Sequence, residues 1–457
     1  MADAARTTRH YVSDSLAERY PYDANKGFAG ARQKNIGAVF NGYDALGTTN
    51  LMSSLTDSFV SSESKAKAAH YLYSRSASQE RKIEMLQLDI VPLLVATLNS
   101  ATDALLIHQC LLLFRSLAVI PQGCYALVFQ GAVLPTMKAL RTAASTEATS
   151  EAQEEAMNCR VAAAHVIDQI SSNMSGLRWL LRIQVETAVA GLKADDNAVP
   201  LQPEELVYEV IDVLAEDPMG TPGATEKAAH LLQALAHLTS LPRGVEALLA
   251  SSKALGTVVA YLELLISKGL SCTTPALKLG EAALEVLWNV ALNRAGEAAV
   301  EAAGVPQLLF NVFASVCGGD NASTVPLQRQ LTGALSAVYQ LTSVKLASTS
   351  PLLSSGDGGG RASTRLDALI QYLRRWNKEV DTQYTGVGKP VPQSVAAIVK
   401  NTLQCIRLAS EVKAVRDATH AFIDERGRVD ATEAIELRRQ IYFRTKWEAE
   451  YSANVEV

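Results

Sequence analysis

The sequence has little from which to build a disulfide framework, a membrane span or a nucleic-acid surface. Its six cysteines, Cys110, Cys124, Cys159, Cys272, Cys317 and Cys405, are scattered through 457 residues without a Cys-x-x-Cys pair. Neither paired disulfides nor a thiolate zinc site is signalled, and a reducing compartment fits. Basic side chains do not outnumber acidic ones, 42 against 47 for a formal charge of −5, whereas neutralising a phosphate backbone calls for a basic excess or stripe. The most apolar stretch, residues 104–120, is interrupted by His108, Gln109 and Arg115, so no clean bilayer-spanning run exists. The opening MADAARTTRHYVSDS lacks the apolar centre of a secretory signal. What the chain does have is 48% hydrophobic against 19% charged residues, enough apolar surface for a packed core. These features predict a soluble, intracellular, folded chain with no nucleic-acid or membrane partner.

From residue 53 to 345 one pattern repeats. Ala- and Leu-rich segments of three or four helical turns alternate with short Pro, Gly and Ser clusters, and no strand-like alternation competes. Residues 203–214 open with Pro203 and the acids Glu204 and Glu205, then place Leu206, Val207, Val210, Ile211 and Leu214 on one face, as a surface helix requires. Residues 105–117 and 282–292 are apolar nearly all round, which suits helices sandwiched between neighbours. Helix ends of one form recur at Ser116, Gln169, His237, Asn289, Gln340 and Arg407. Two of them continue almost identically, into Pro121-Gln-Gly123 and Pro242-Arg-Gly244, and Gly176 and Gly296 hold the matching site elsewhere. A second break follows each short helix, at Asp89 before Pro92, Gly131 before Pro135 and Gly304 before Pro306.

A three-helix unit of about 40 residues is an armadillo-type repeat. One unit cannot bury its apolar face alone, so the pattern predicts an all-α, armadillo/HEAT-like right-handed superhelical solenoid in which each repeat touches its neighbours. Polar inserts at 141–157, 193–202, 267–274 and 317–324 lengthen several units, as surface loops or as partner contacts. Residues 1–52 read as an extended Tyr- and Gly-rich arm bearing Tyr11, Tyr20, Tyr22, Phe28, Phe40 and Tyr43, aromatic anchors for docking on the solenoid or on a partner. Residues 346–394 read as a flexible Gly- and Ser-rich insert with one helix at 366–380, and 395–457 as helices capping the solenoid. The last of these carries Asp430 and Glu433 in capping-box spacing and the stripe Phe443, Trp447 and Tyr451, which either folds back on the last repeat or receives a partner helix.

Chemistry-bearing motifs are few. Gly386-Val-Gly388-Lys389 is similar to a phosphate loop but has Gln383 and Pro390 at positions that need glycine and a hydroxyl. Asp424 to Asp430 has the acid spacing of a calcium loop only at its ends, with Arg426 and Arg428 in its interior, cations that would repel the ion. His230 and His237 share a helical face with no third ligand in register, and Cys159 and His165 lack an orienting acid. The sequence therefore predicts no catalytic residue, no cofactor and no metal. Nuclear import receptors of this fold carry an Asn ladder on the third helix with Trp one turn earlier. Here those positions are Ser116, Gln169, His237, Asn289, Gln340 and Arg407, preceded by Leu112, His165, Gln233, Glu285, Ser336 and Leu403, which disfavours such a receptor.

Two stretches resemble the armadillo-repeat radial spoke protein family of motile cilia, also called the rhabdoid tumour deletion region proteins. They are Lys65-Ala-Lys67-Ala-Ala-His70-Tyr-Leu72 through Met85-Leu-Gln-Leu-Asp-Ile90 to Leu98, and Phe114-Arg-Ser-Leu-Ala118-Val-Ile-Pro121-Gln-Gly123 through Val128-Phe-Gln-Gly-Ala132 to Leu140. The resemblance implies a non-enzymatic structural scaffold of the axoneme, in the spokes between outer doublets and central apparatus, with other radial spoke or axonemal proteins as partners and no small-molecule substrate. The alternatives are a cytosolic armadillo adaptor in trafficking or signalling and a small-GTPase regulator.

Overall fold

Hydroxyl, carboxyl and amide side chains cap several helix starts, prolines open others, and left-handed glycines re-aim the chain between helices. In the computed structural model the described residues are 45–142, 150–184, 188–189, 191–195, 201–216, 221–267, 274–317, 325–339 and 364–442. The chain forms two compact units, one of Met1–Pro135 with Glu186–Val199, the other of Thr136–Val185 with Pro200–Val457. Among the described residues no single helix is long and apolar enough to cross a membrane.

The first unit begins with α1 (Ala45–Thr56) and α2 (Ser62–Arg75), so the chain is helical before the expected start of the repeats at 53. A triplet follows, α3 (Gln79–Gln87), α4 (Ile90–Ser100) and α5 (Ala104–Leu117), and then α6 (Pro121–Phe129) and α7 (Val133–Ala139), which runs across the boundary between the units. Ser61, Ser78 and Asp103 each cap the next helix by accepting one of its free N–H groups, from Ser64, Arg81 and Leu105. α2 and α5 pack side by side as third helices, burying Ala66, Ala69 and Leu72 on one and Leu111, Phe114 and Leu117 on the other. The first unit also departs from an all-helical expectation. Ala188–Val189 (β1) and Leu192–Lys193 (β2) pair antiparallel, Ala188 opposite Lys193 and Val189 opposite Leu192, around Gly191 at φ 85°. This hairpin docks on α6, through Gln130 Nε2 donating to the Lys193 carbonyl at 3.1 Å and Asp195 N–H to the Phe129 carbonyl at 3.0 Å. The expected loop over 193–202 therefore begins in a strand.

The second unit continues the triplets. Its helices are α8 (Ser150–Ser172), α9 (Met174–Leu180), α10 (Pro203–Glu216), α11 (Pro222–Thr239), α12 (Pro242–Leu249), α13 (Ala254–Ser267), α14 (Thr274–Leu292), α15 (Glu297–Ala302), α16 (Val305–Cys317) and α17 (Val325–Val338). Beyond them lie α18 (Arg365–Gln383), α19 (Gln393–Ala409), α20 (Lys413–Gly427) and α21 (Ala431–Tyr442). The third helices α8, α11, α14, α17 and α19 stack in that order, each on the one before. Their core is nearly all aliphatic, with Leu231, Leu235, Leu284, Leu287, Leu331 and Leu403 fully buried. The expected insert over 141–157 is partly helix, because α8 begins at Ser150. Arg141, before it, binds the acids of α10, reaching Asp212 at 2.6 Å and Glu209 at 3.0 Å. On α10 the apolar face read from sequence is buried, while Tyr208 opposite it is exposed.

The capping box expected at Asp430 is only half formed. Asp430 Oδ1 accepts from the N–H groups of Thr432 and Glu433, but the Glu433 carboxylate turns away to the Arg374 guanidinium on α18. A charge-assisted pair has displaced the reciprocal hydrogen bond.

The turn between the short first helix and the second helix is left-handed in every repeat where the sequence shows a break. Asp89, Gly131 and Gly304 have φ of 56°, 80° and 65°. Glycine adopts this region freely, whereas a residue with a Cβ is strained there. Asp89 is exposed and makes no side-chain cap to α4. Replacing Asp89 by glycine is accordingly expected to stabilise the chain by about 0.5–1 kcal/mol, read as a higher denaturant midpoint at unchanged m-value.

Candidate functional site

The third helices present a half-buried row of polar side chains, among them positions matched above with the Asn ladder of nuclear import receptors. In this chain the row is spent between repeats. Ser116 on α5 accepts from the Ser76 hydroxyl at 2.7 Å, and His70 on α2 meets Gln109 on α5 at 3.2 Å. Asn289 on α14 donates its amide to the Ala236 carbonyl and the Thr239 hydroxyl of α11, at 3.0 and 3.3 Å. Gln330 on α17 donates to Glu285 on α14 at 3.3 Å. Arg407 on α19 donates to the carbonyls of Gln440 and Ile441, which end α21. Gln169 is the exception, donating within its own helix to the Ser172 hydroxyl at 3.3 Å, and Gln340 lies outside the described residues.

The densest part of the row joins α8 to α11. Asp168 Oδ2 lies 2.7 Å from His230 Nδ1, with the two side chains only 11% and 13% exposed. Asp168 Oδ1 is 3.5 Å from His237 Nδ1, and the Ser171 hydroxyl is 3.3 Å from that same nitrogen. The His165 ring stacks on His230, centroids 4.1 Å apart and 16° from parallel. The acid that sequence spacing did not supply to the histidines of α11 therefore comes from the preceding third helix, and the reading that no third ligand is in register is corrected. Spacing along one helix is blind to a partner 62 residues away.

The aromatic residues singled out from sequence, Tyr11, Tyr20, Tyr22, Phe28, Phe40 and Tyr43 in the arm and Phe443, Trp447 and Tyr451 at the other end, all lie outside the described residues. Cys159 is fully buried. Burial pushes the Cys110 and Cys124 thiols up to about 12 and that of Cys405 higher still, so these three are inert as nucleophiles at neutral pH. Gly386 and Gly388 form a short 3-10 turn and its left-handed end after α18, not the strand-to-helix turn that a phosphate loop needs.

One acid on the third-helix row is held against its preference. Burial raises the Glu281 carboxyl above its ordinary value of 4.5, Lys278 opposes the rise and Glu285 adds to it. A raised folded pKa favours the protonated form, so this contribution is present below the unfolded value and is lost as pH rises through the folded one. Glu281→Gln is expected to melt higher than the parent at pH 7, the difference shrinking toward pH 4, which paired thermal melts would measure.

No protein-family model matches the chain, and no curated protein does. Among solved structures it is similar to one from work on a phosphorylation switch controlling the interaction between cadherin and beta-catenin. That match has 14% identity and a TM-score of 0.53, and covers 80% of this chain and 61% of that one. A designed armadillo repeat protein in complex with the peptide (KR)4 aligns at 16% identity over 63% of this chain and 98% of its own, with a TM-score of 0.46. A second designed armadillo repeat protein gives 15%, 63%, 98% and 0.45. The stacked triplets and the first of these likenesses agree: the chain has an all-α, armadillo/HEAT-like solenoid fold.

Proposed function

We propose that this chain is a non-enzymatic scaffold that binds other proteins along its repeats, and that its place is the radial spoke of the ciliary axoneme. The observation that carries the scaffold reading is the row of third helices, whose polar side chains tie repeat to repeat instead of converging on a catalytic pocket. The axonemal part rests on the two stretches within residues 65–140. There Ala66, Ala68, Ala69, Leu72, Phe114, Leu117 and Ala118 are buried, so they account for the fold, while Lys67, His70, Tyr71 and Val119 of the same stretches are exposed and are available to neighbouring subunits. Tyr71 and Val119 expose apolar surface, 59% and 49%, of the kind that interfaces cover.

Fractionation tests the proposal. A spoke subunit stays with detergent-extracted, salt-washed axonemes, and recovery in the soluble pool alone would end the axonemal reading. Removing residues 1–44 is expected to weaken that retention while leaving the melting temperature of the repeats unchanged. A large fall in melting temperature would instead assign the arm to its own chain.

A further inference from the structure

We propose that His165, Asp168 and His230 form a binding site for a divalent transition metal ion of the zinc class, joining two successive third helices. Their donor atoms lie within 4.8 Å of one another. Two imidazoles and one carboxylate are a donor set that suits zinc and its first-row neighbours and not the all-oxygen preference of calcium or magnesium. The ligands come from rigid elements: His165 and Asp168 are one turn apart on α8, and His230 is near the middle of α11.

Ligation requires one ring to turn. Around a tetrahedral zinc ion with bonds of about 2.0–2.1 Å, donor atoms sit roughly 3.3 Å apart. The Asp168 to His230 pair, now at 2.7 Å, opens slightly as the ion replaces the hydrogen shared between Nδ1 and the carboxylate, leaving the ring hydrogen on Nε2. The His165 ring, stacked near-parallel on His230, leaves that stack and rotates about its side-chain bonds until its own plane contains the ion. His237, whose Nδ1 lies 3.5 Å from the other Asp168 oxygen, or a water fills the fourth position. The side chains of Asp168 and His230 are almost wholly shielded, while that of His237 is 34% exposed, giving the ion a route in. An ion held from both helices binds the folded state alone and so stabilises the pairing of these two repeats.

The test is zinc titration of the full chain, stripped with a chelator, by calorimetry and thermal melting in a non-coordinating buffer. One equivalent should bind and raise the melting temperature. His230→Ala and Asp168→Asn should each lose that equivalent or weaken it at least about 100-fold, with His420→Gln as an unaffected control. His165→Ala removes a ligand without breaking the hydrogen bond between Asp168 and His230, so its loss of zinc in a chain that still melts cooperatively separates ligation from misfolding. Absence of zinc uptake by the folded parent, or uptake that persists in both His165→Ala and His230→Ala, would overturn the proposal.

Discussion

Alanine in place of Gly244 is expected to cost about 3 kcal/mol of stability, a large effect for the addition of a single methyl group. A Cβ at 244 would stand 1.9 Å from the Leu238 carbonyl oxygen, 2.5 Å from its carbon and 3.2 Å from the Thr239 nitrogen. All three are backbone atoms in the last turn of α11, so no side-chain rotation relieves the clash and either that turn or α12 must shift. The same construction recurs at Gly123 against Leu117 O, at 1.9 Å, and at Gly296 against Val290 O, at 2.2 Å. The short helix that opens each of these repeats thus starts in van der Waals contact with the carbonyl end of the helix before it. Gly256 provides the internal comparison. It lies in α13 with nothing within 4 Å of a Cβ, so Gly256→Ala should stabilise by about 0.5–1 kcal/mol. Denaturant titration of both variants checks the pair, and a Gly244→Ala chain as stable as the parent would show that the joint can yield.

Leu287→Ala is expected to cost about 2–5 kcal/mol, the range for emptying a fully buried leucine site that relaxes only in part. Leu287 is completely buried on α14, which packs against α11 on one side and α17 on the other. In a repeat array stability is a sum of unit and nearest-neighbour terms, so the loss should be felt in those two helices before it reaches α19. Hydrogen exchange resolved along the chain would show this as a graded loss of protection. An equal loss everywhere would mean that the second unit unfolds as a single cooperative block.

Much of this was legible in the sequence, for physical reasons that can be named. The matched Pro121-Gln-Gly123 and Pro242-Arg-Gly244 segments mark the joints because proline suits the first position of a helix and only glycine fits against the preceding carbonyl. Asp89, Gly131 and Gly304 align because all three occupy the left-handed turn. Three things were not legible. The hairpin at 188–193 is too short to show alternation, and its anchor is the distant α6. The setting of His230 and His237 was missed because their shared acid, Asp168, sits on the preceding third helix across loops of irregular length. Asp430 and Glu433 had the right spacing for a closed box, but Arg374 offered the Glu433 carboxylate a full positive charge. A signal that could have found Asp168 was its own position, a carboxylate one turn after His165 in an otherwise Ala-rich helix.

The bond from Asn289 to the end of α11 has a consequence for the order in which the protein is made. The Ala236 carbonyl and Thr239 hydroxyl receive that amide from a residue 53 positions later in the chain. During synthesis α11 leaves the ribosome with its last turn already bonded, Ser240 N–H to the Ala236 carbonyl and the Thr239 hydroxyl to the Leu235 carbonyl, and it gains the Asn289 amide only when α14 emerges. Each repeat joined this way can form its own helices first, and receives the amide that ties it to its successor only once that successor is made.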